Sequence, residues 1–177
     1  MTPVSGAWPR ENVAALNAFY GDPRGPNGAE SPTWAARNLT LWIPPYPMFY
    51  SDEDRTPLHR LRVHKKCIAA FDAAFKDVLG ALGHEYIKVH RLDVSGGTFC
   101  YRVQRGGSRL SVHSWGCAID LDPAHNPFPS THGPMDLKFV EILNRHGFWW
   151  RGSKTGLAAG TGTDTDFMHF QLCRHSG

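Results

Sequence analysis

Two short stretches carry the residues with chemistry to offer. The run Ser111-Val-His-Ser-Trp-Gly-Cys-Ala-Ile-Asp-Leu-Asp122 sets His113 seven residues before Asp120, with Gly116 between them. The run Asp166-Phe-Met-His-Phe170 adds His169, with a carboxylate three residues upstream. Two imidazoles and one carboxylate form the donor set of a catalytic zinc site, which uses three protein ligands and keeps a fourth position open for water. The expected ligands of one zinc ion are therefore His113, Asp120 and His169. Asp166 is the spare carboxylate, suited to take a proton from that water.

These residues need particular elements under them. A helix would pair ligands four apart, so the longer spacing fits His113 on a loop and Asp120 on the strand it enters, with Gly116 easing the turn. In a strand over 117–121, Ile119 and Leu121 share one face and Asp120 takes the other. His169 alternates with Met168 and Phe170 in a last strand over 168–172. A carboxylate three residues earlier would face away in a regular strand, so Asp166 must lie just off its end, with 162–165 giving the backbone its freedom. His125 and His132 follow in the next loop and are candidates to line the cleft. The other histidines, among them His64, His146 and His175, read as core or surface.

The remaining scaffold is read from periodicity. A short helix is expected over 11–19, ended by the breakers at 21–28. Residues 22–60 are rich in Pro and aromatics and read as ordered loop over the core around a strand at 39–43. The strongest helix covers 60–82, with Leu61, Ile68, Phe71, Phe75, Val78 and Leu79 on one face and Gly83 as its stop. Alternation predicts strands over 85–94 and 98–104. A helix over 136–146 turns Leu137, Val140, Ile142 and Leu143 inward, Phe148 to Trp150 form a short strand or wall, and 152–165 is a Gly/Thr-rich loop. Strands and helices are segregated, so the fold class is α+β: a small antiparallel β-sheet with flanking helices. Residues 1–177 read as one domain, with 1–60 packed on the core.

Bulk properties exclude several classes. The 177 residues are 41% hydrophobic and 20% charged, enough for a domain with a real core. No apolar run approaches the roughly 20 residues of a membrane span. Residues 1–10 lack a basic start followed by an apolar stretch, so no signal peptide is expected. A net charge of +3, without basic runs interleaved with aromatics, gives nucleic-acid binding no support. The four cysteines, Cys67, Cys100, Cys117 and Cys173, form no C-x-x-C pair, so a thiolate zinc site is not expected. They read as buried free thiols, with a Cys100–Cys117 bridge as the other option.

The chain resembles a family. Ser111-x-His113-x-x-Gly116-x-Ala118-x-Asp120, followed by Asp166-x-x-His169-Phe170, looks like the zinc peptidases that cleave bacterial cell-wall peptides. That family holds the D-alanyl-D-alanine carboxypeptidases and the L-alanyl-D-glutamate endopeptidases used as phage endolysins. Tyr101-Arg102, the segment 122–127 and Gly147-Phe148-Trp149-Trp150 extend the likeness. Arg151 departs from it, standing where the family usually has glycine. The resemblance implies a fold shared with DD-peptidases and Hedgehog-type domains, zinc on His113, Asp120 and His169, and Asp166 as catalytic base. It further implies that Arg102, on a neighbouring strand, stabilises the developing oxyanion or holds a substrate carboxylate. Ser111 either bonds substrate or caps its loop, and Trp150 is a candidate substrate wall. The expected partner is a peptidoglycan peptide, met by a monomer that is made in the cytoplasm and released by phage or host to the wall.

Within that reading, cleavage between L-Ala and D-Glu is favoured by Asp rather than Glu as the base and by the missing signal peptide. Removal of terminal D-Ala is the alternative. A different class, a non-catalytic zinc protein on the same scaffold, is argued against by Asp166, since a structural site fills all four positions and needs no spare carboxylate.

Overall fold

The computed structural model describes residues 8–158 and 165–175, so part of the expected Gly/Thr-rich loop, including 162–164, lies outside the described residues. The first helix, α1 (Val13–Tyr20), opens on Asn12, whose side chain accepts the Ala15 N–H. A second helix, α2 (Pro32–Asn38), has Ser31 as its cap and Pro32 in its first turn. Sequence patterning places only loop there, because this start signal sits inside a Pro-rich run. Strands β1 (Leu39–Trp42), β2 (Met48–Tyr50), β3 (Pro57–Leu58) and β4 (Leu61–His64) follow.

The expected helix over 60–82 starts later than its pattern suggests. Leu61 and Val63 are buried at two-residue spacing in β4, which pairs antiparallel with β1. Helix α3 then runs over Ile68–Val89, broken at Gly83 by φ +75°. Gly83 interrupts the helix as expected, but the chain resumes it instead of entering a strand over 85–94. Ile87 is buried and Val89 is 73% exposed, a split that a strand period of two would not give. Tyr86 fixes this second helical segment by donating to Asp136 at 2.7 Å.

Strands β5 (Val94–Gly97), β6 (Ala118–Leu121), β7 (Trp149–Trp150) and β8 (His169–Gln171), with helix α4 (Leu137–Arg145), complete the order. The six-stranded sheet runs β3-β2-β5-β6-β8-β7. Its pairs are antiparallel except β2 with β5, which are parallel, so the sheet is mixed at that one junction. The α+β class stands. The expected strand over 98–104 is irregular backbone with one bridge, Val103 to Leu110. It is tied down by the turn that follows: Ser111 N–H donates to Arg102 O at 2.9 Å, and Arg102 N–H donates to Ser114 Oγ at 3.1 Å.

One face of the sheet is covered by α3 and α4. Phe75 meets Phe139 edge-on at 6.1 Å, and Phe139 meets Phe170 of β8 at 5.5 Å. Ile119 and Leu121 are wholly buried in this layer. Each such side chain contributes roughly 1.5–3 kcal/mol relative to exposure. Leu137 was expected inward but is 51% exposed in the first turn of α4, and Phe139 takes the buried place. The N-terminal aromatics join the same core: Trp42 packs on Phe75 at 4.8 Å, and Trp34 Nε1 donates to Tyr20 O at 3.1 Å. Cys67, Cys117 and Cys173 are buried free thiols; Cys100 is an exposed free thiol, which removes the Cys100–Cys117 bridge. Among the described residues no helix is long and apolar enough to cross a membrane.

Candidate metal centre

The face of the sheet opposite the helices carries the chemistry. Antiparallel pairing of β6 with β8 sets Asp120 directly across from His169. Alternation sends both away from the Ile119 and Phe170 layer. His113 arrives from a 3-10 turn over Val112–Trp115, capped by the Ser111 side chain and ended by Gly116 at φ +67°. A Cβ on Gly116 would stand 2.9 Å from Leu39 Cδ2 and 3.0 Å from the His64 backbone N, so glycine is required there on two counts. The result is a close triangle. Asp120 Oδ1 lies 2.9 Å from His169 Nδ1 and 3.2 Å from His113 Nε2, and the two nitrogens are 3.1 Å apart. Ligands about 2.0–2.2 Å from a tetrahedral zinc stand roughly 3.3 Å from one another, close to these edges.

The outer nitrogens decide what the inner ones present. His113 Nδ1 is 2.6 Å from the Thr98 carbonyl, which can only accept, so this nitrogen carries the proton. Gln171 Nε2 donates to Glu11 Oε2 at 2.9 Å and to the Cys173 carbonyl at 3.2 Å. That leaves Gln171 Oε1 to accept from His169 Nε2 at 3.0 Å. When neutral, both rings therefore turn lone pairs toward each other and toward a carboxylate oxygen. Three acceptors in one small buried space repel unless a cation lies among them. A proton relieves one edge of the triangle only. Its pull is visible in the charges: burial alone would raise the Asp120 carboxyl, but His113 and His169 hold it well below the usual range. Burial likewise works to lower His169, and Asp120 lifts it above the ordinary imidazole value. His113, Asp120 and His169 can thus hold a metal ion, and the donor set suits zinc.

Asp166 sits just before β8, its backbone carbonyl accepting the His169 N–H at 3.2 Å. Its Oδ1 is buried without a hydrogen-bond partner. Burial raises the Asp166 carboxyl above the ordinary carboxylate value, and Asp120 adds to this against the opposing charge of His169. Asp166 and the triangle share a cavity of about 260 Å³.

Residues 105–172 match the family model for D-alanyl-D-alanine carboxypeptidase. The matched span holds Ser111, His113, Asp120, Asp166 and His169, and it supports a peptidase of that family in general. Comparison with curated proteins and with solved structures gives no match.

Other expected site residues divide. Arg102 lines the cavity, although from irregular backbone and not from a strand. Ser111 lines it too and caps the turn that carries His113. Trp150 does not form a wall: it is 4% exposed, and its Nε1 donates to Phe167 O at 2.8 Å inside the core. His125 bonds Asp122 at 3.0 Å and, like His132, stays out of the cavity lining. Asp122 fixes its loop through Arg91, 2.9 Å away.

Sequence reasoning missed the residues behind His169. Glu11 comes from the other end of the chain and gathers Gln171, His175 at 2.7 Å and Arg151 at 3.1 Å. Burial would raise the Glu11 carboxyl; the hydrogen bonds from Gln171 and His175 and the charge of Arg151 outweigh it and hold the group below its ordinary value. No spacing rule links positions so distant, but Gln171, two residues after a ligand on the same strand face, was legible as a partner for His169. Replacing Glu11 with Ala frees the Gln171 amide and unfixes the His169 tautomer. Zinc affinity should fall roughly 10–100-fold, as for other outer partners of metal ligands. Competition against a chromophoric chelator measures this, and unchanged affinity would show that the Gln171 amide orients without Glu11.

Proposed function

We propose that this chain is a zinc-dependent peptidase that hydrolyses peptidoglycan stem peptides between L-Ala and D-Glu. The observation that carries the reading is the convergence of two imidazole nitrogens and a carboxylate oxygen, 2.9–3.2 Å apart, beside Asp166, whose Oδ1 is buried without a hydrogen-bond partner. When bound, zinc supplies Lewis acidity toward the scissile carbonyl and acidifies water in its open position. His113, Asp120 and His169 would hold it. Thr98 and Gln171 keep the two rings in the tautomer that can bind. Asp166, raised toward neutrality by burial, takes the water proton and returns it to the leaving amine. Arg102 faces the same cavity and offers a fixed positive charge to the developing oxyanion or to a substrate carboxylate.

A second reading, removal of terminal D-Ala, is favoured by the description of the matched family. The two readings share a chemical handle: in both substrates the carbon bearing the leaving amine also bears a free carboxylate. Incubation with peptidoglycan, with and without chelator, followed by mass spectrometry of the new termini, separates them. New D-Glu amino termini that need metal are expected. Free D-Ala would move the assignment to the carboxypeptidase, and no cleavage by folded, zinc-loaded protein would sink both.

A further inference from the structure

Four arginines line the cavity, Arg102, Arg105, Arg109 and Arg151, against three carboxylates, Glu11, Asp120 and Asp166. Only Arg151 is satisfied, through Glu11. Among the described residues the other three form no ion pair, and the Arg102 guanidinium makes only a 3.3 Å hydrogen bond to the Val103 carbonyl. Of those carboxylates, Glu11 is taken by Arg151, Gln171 and His175, and Asp120 by the two imidazoles, which leaves Asp166 against three unpaired arginines. A divalent cation in the triangle would increase the positive surplus further.

Arg105 and Arg109 are not on a loose surface segment. They stand at the feet of a tight loop closed by the Val103–Leu110 bridge and by the Gln104 N–H donating to Arg109 O at 2.8 Å. Within it the Gly107 N–H donates to Gln104 O at 3.1 Å, and Gly106 takes φ +71°. The loop continues into Ser111 and the turn that carries His113, so the backbone of Arg105 and Arg109 is joined to that turn while both side chains are exposed. Guanidinium groups left unpaired around a concave site are suited to an anionic guest.

We propose that Arg105 and Arg109 form a binding site for a second substrate carboxylate, separate from the one Arg102 can take beside the scissile bond. The substrate class is then an acidic peptide with at least two free carboxylates, the outer one on the residue after the leaving amino acid. This rests on the peptidase reading above. It goes further by making Arg105 and Arg109 determinants of specificity.

The test uses the zinc-loaded Asp166→Asn protein and two peptides, L-Ala-γ-D-Glu-L-Lys ending in a free acid or in a carboxamide. Calorimetry at about 150 mM salt limits long-range attraction. The acid form should bind tighter by roughly tenfold to a hundredfold, the range of a charge-assisted hydrogen-bond pair. In Arg105→Ala/Arg109→Ala, whose thermal midpoint is checked against the parent, the two forms should bind alike. Arg105→Gln and Arg109→Gln singly should give intermediate ratios. Equal binding by the parent, a preference that survives the double substitution, or no binding of either peptide overturns the proposal. Hydrolysis by the unsubstituted protein is scored separately. A binding preference without cleavage keeps the site and removes the peptidase reading, whereas cleavage without preference does the reverse.

Discussion

Asp166→Asn should bind zinc as tightly as the unsubstituted protein and hydrolyse peptide more slowly by roughly 10²–10⁴-fold, the usual contribution of a positioned acid–base group. Asn keeps the size of the side chain and cannot take a proton. Asp166 is not a corner of the triangle, so the three donors are untouched. A protein that merely holds the ion would be indifferent to this change, which makes the variant the sharpest test between a catalyst and a binding module. The same substitution has a second signature. The folded-state pKa of Asp166 lies above its unfolded value. Its contribution to stability is therefore fully present below the unfolded pKa and is lost as pH rises through the folded one. Asn does not titrate. Metal-free Asp166→Asn should thus melt higher than the metal-free parent near pH 7, with the gap closing toward acid pH. A gap that widened on acidification would mean that Asp166 is not an unsatisfied buried carboxylate.

Zinc should stabilise the fold substantially, because it relieves a repulsion already built into it. At a thousandfold excess over its dissociation constant the gain is about 4 kcal/mol. For a chain of this size that is roughly 8–16 °C in thermal midpoint. Chelator should reverse the shift, and His113→Ala should abolish it by removing a corner of the triangle. Acidification should weaken binding, since both imidazoles must be deprotonated at the donor atoms to coordinate. Differential scanning fluorimetry across added zinc and pH reads all three effects. A midpoint unmoved by zinc would mean that the triangle is held by protons alone.

Much of this site is legible in the sequence. Alternation in Ala118–Leu121 and in His169–Gln171 is strict, and a two-residue period determines which face Asp120 and His169 share. The glycine between His113 and Asp120 marked a turn that only glycine can make. What failed were local patterns with two readings. Glu85 to Val89 alternates for a few residues, too short a run to outweigh the helix that precedes it. Thr98 to Gln104 also alternates, yet the Thr98 carbonyl and the Arg102 backbone bond the His113 turn in place of a ladder with a neighbouring strand. That departure is what frees the Thr98 carbonyl to fix His113. Trp150 was placed at the cavity by its neighbourhood in sequence, whereas a strand of two residues next to Phe170 turns it into the core.

The tie between Glu11 and Gln171 bears on when the site can exist. Arg10 bridges Arg174, and the Glu11 N–H donates to Arg174 O at 2.7 Å, so the two ends of the described chain close over His169 together. During synthesis, a nascent chain that has exposed His113 and Asp120 still lacks the third corner and the amide that orients it. At about 5–20 residues per second the ribosome takes several seconds more to deliver them. Assembly of the triangle is thereby deferred until His169 and Gln171 have been made. A chain made only as far as Asp120 carries two corners of the triangle, and β8 is the strand that supplies the third.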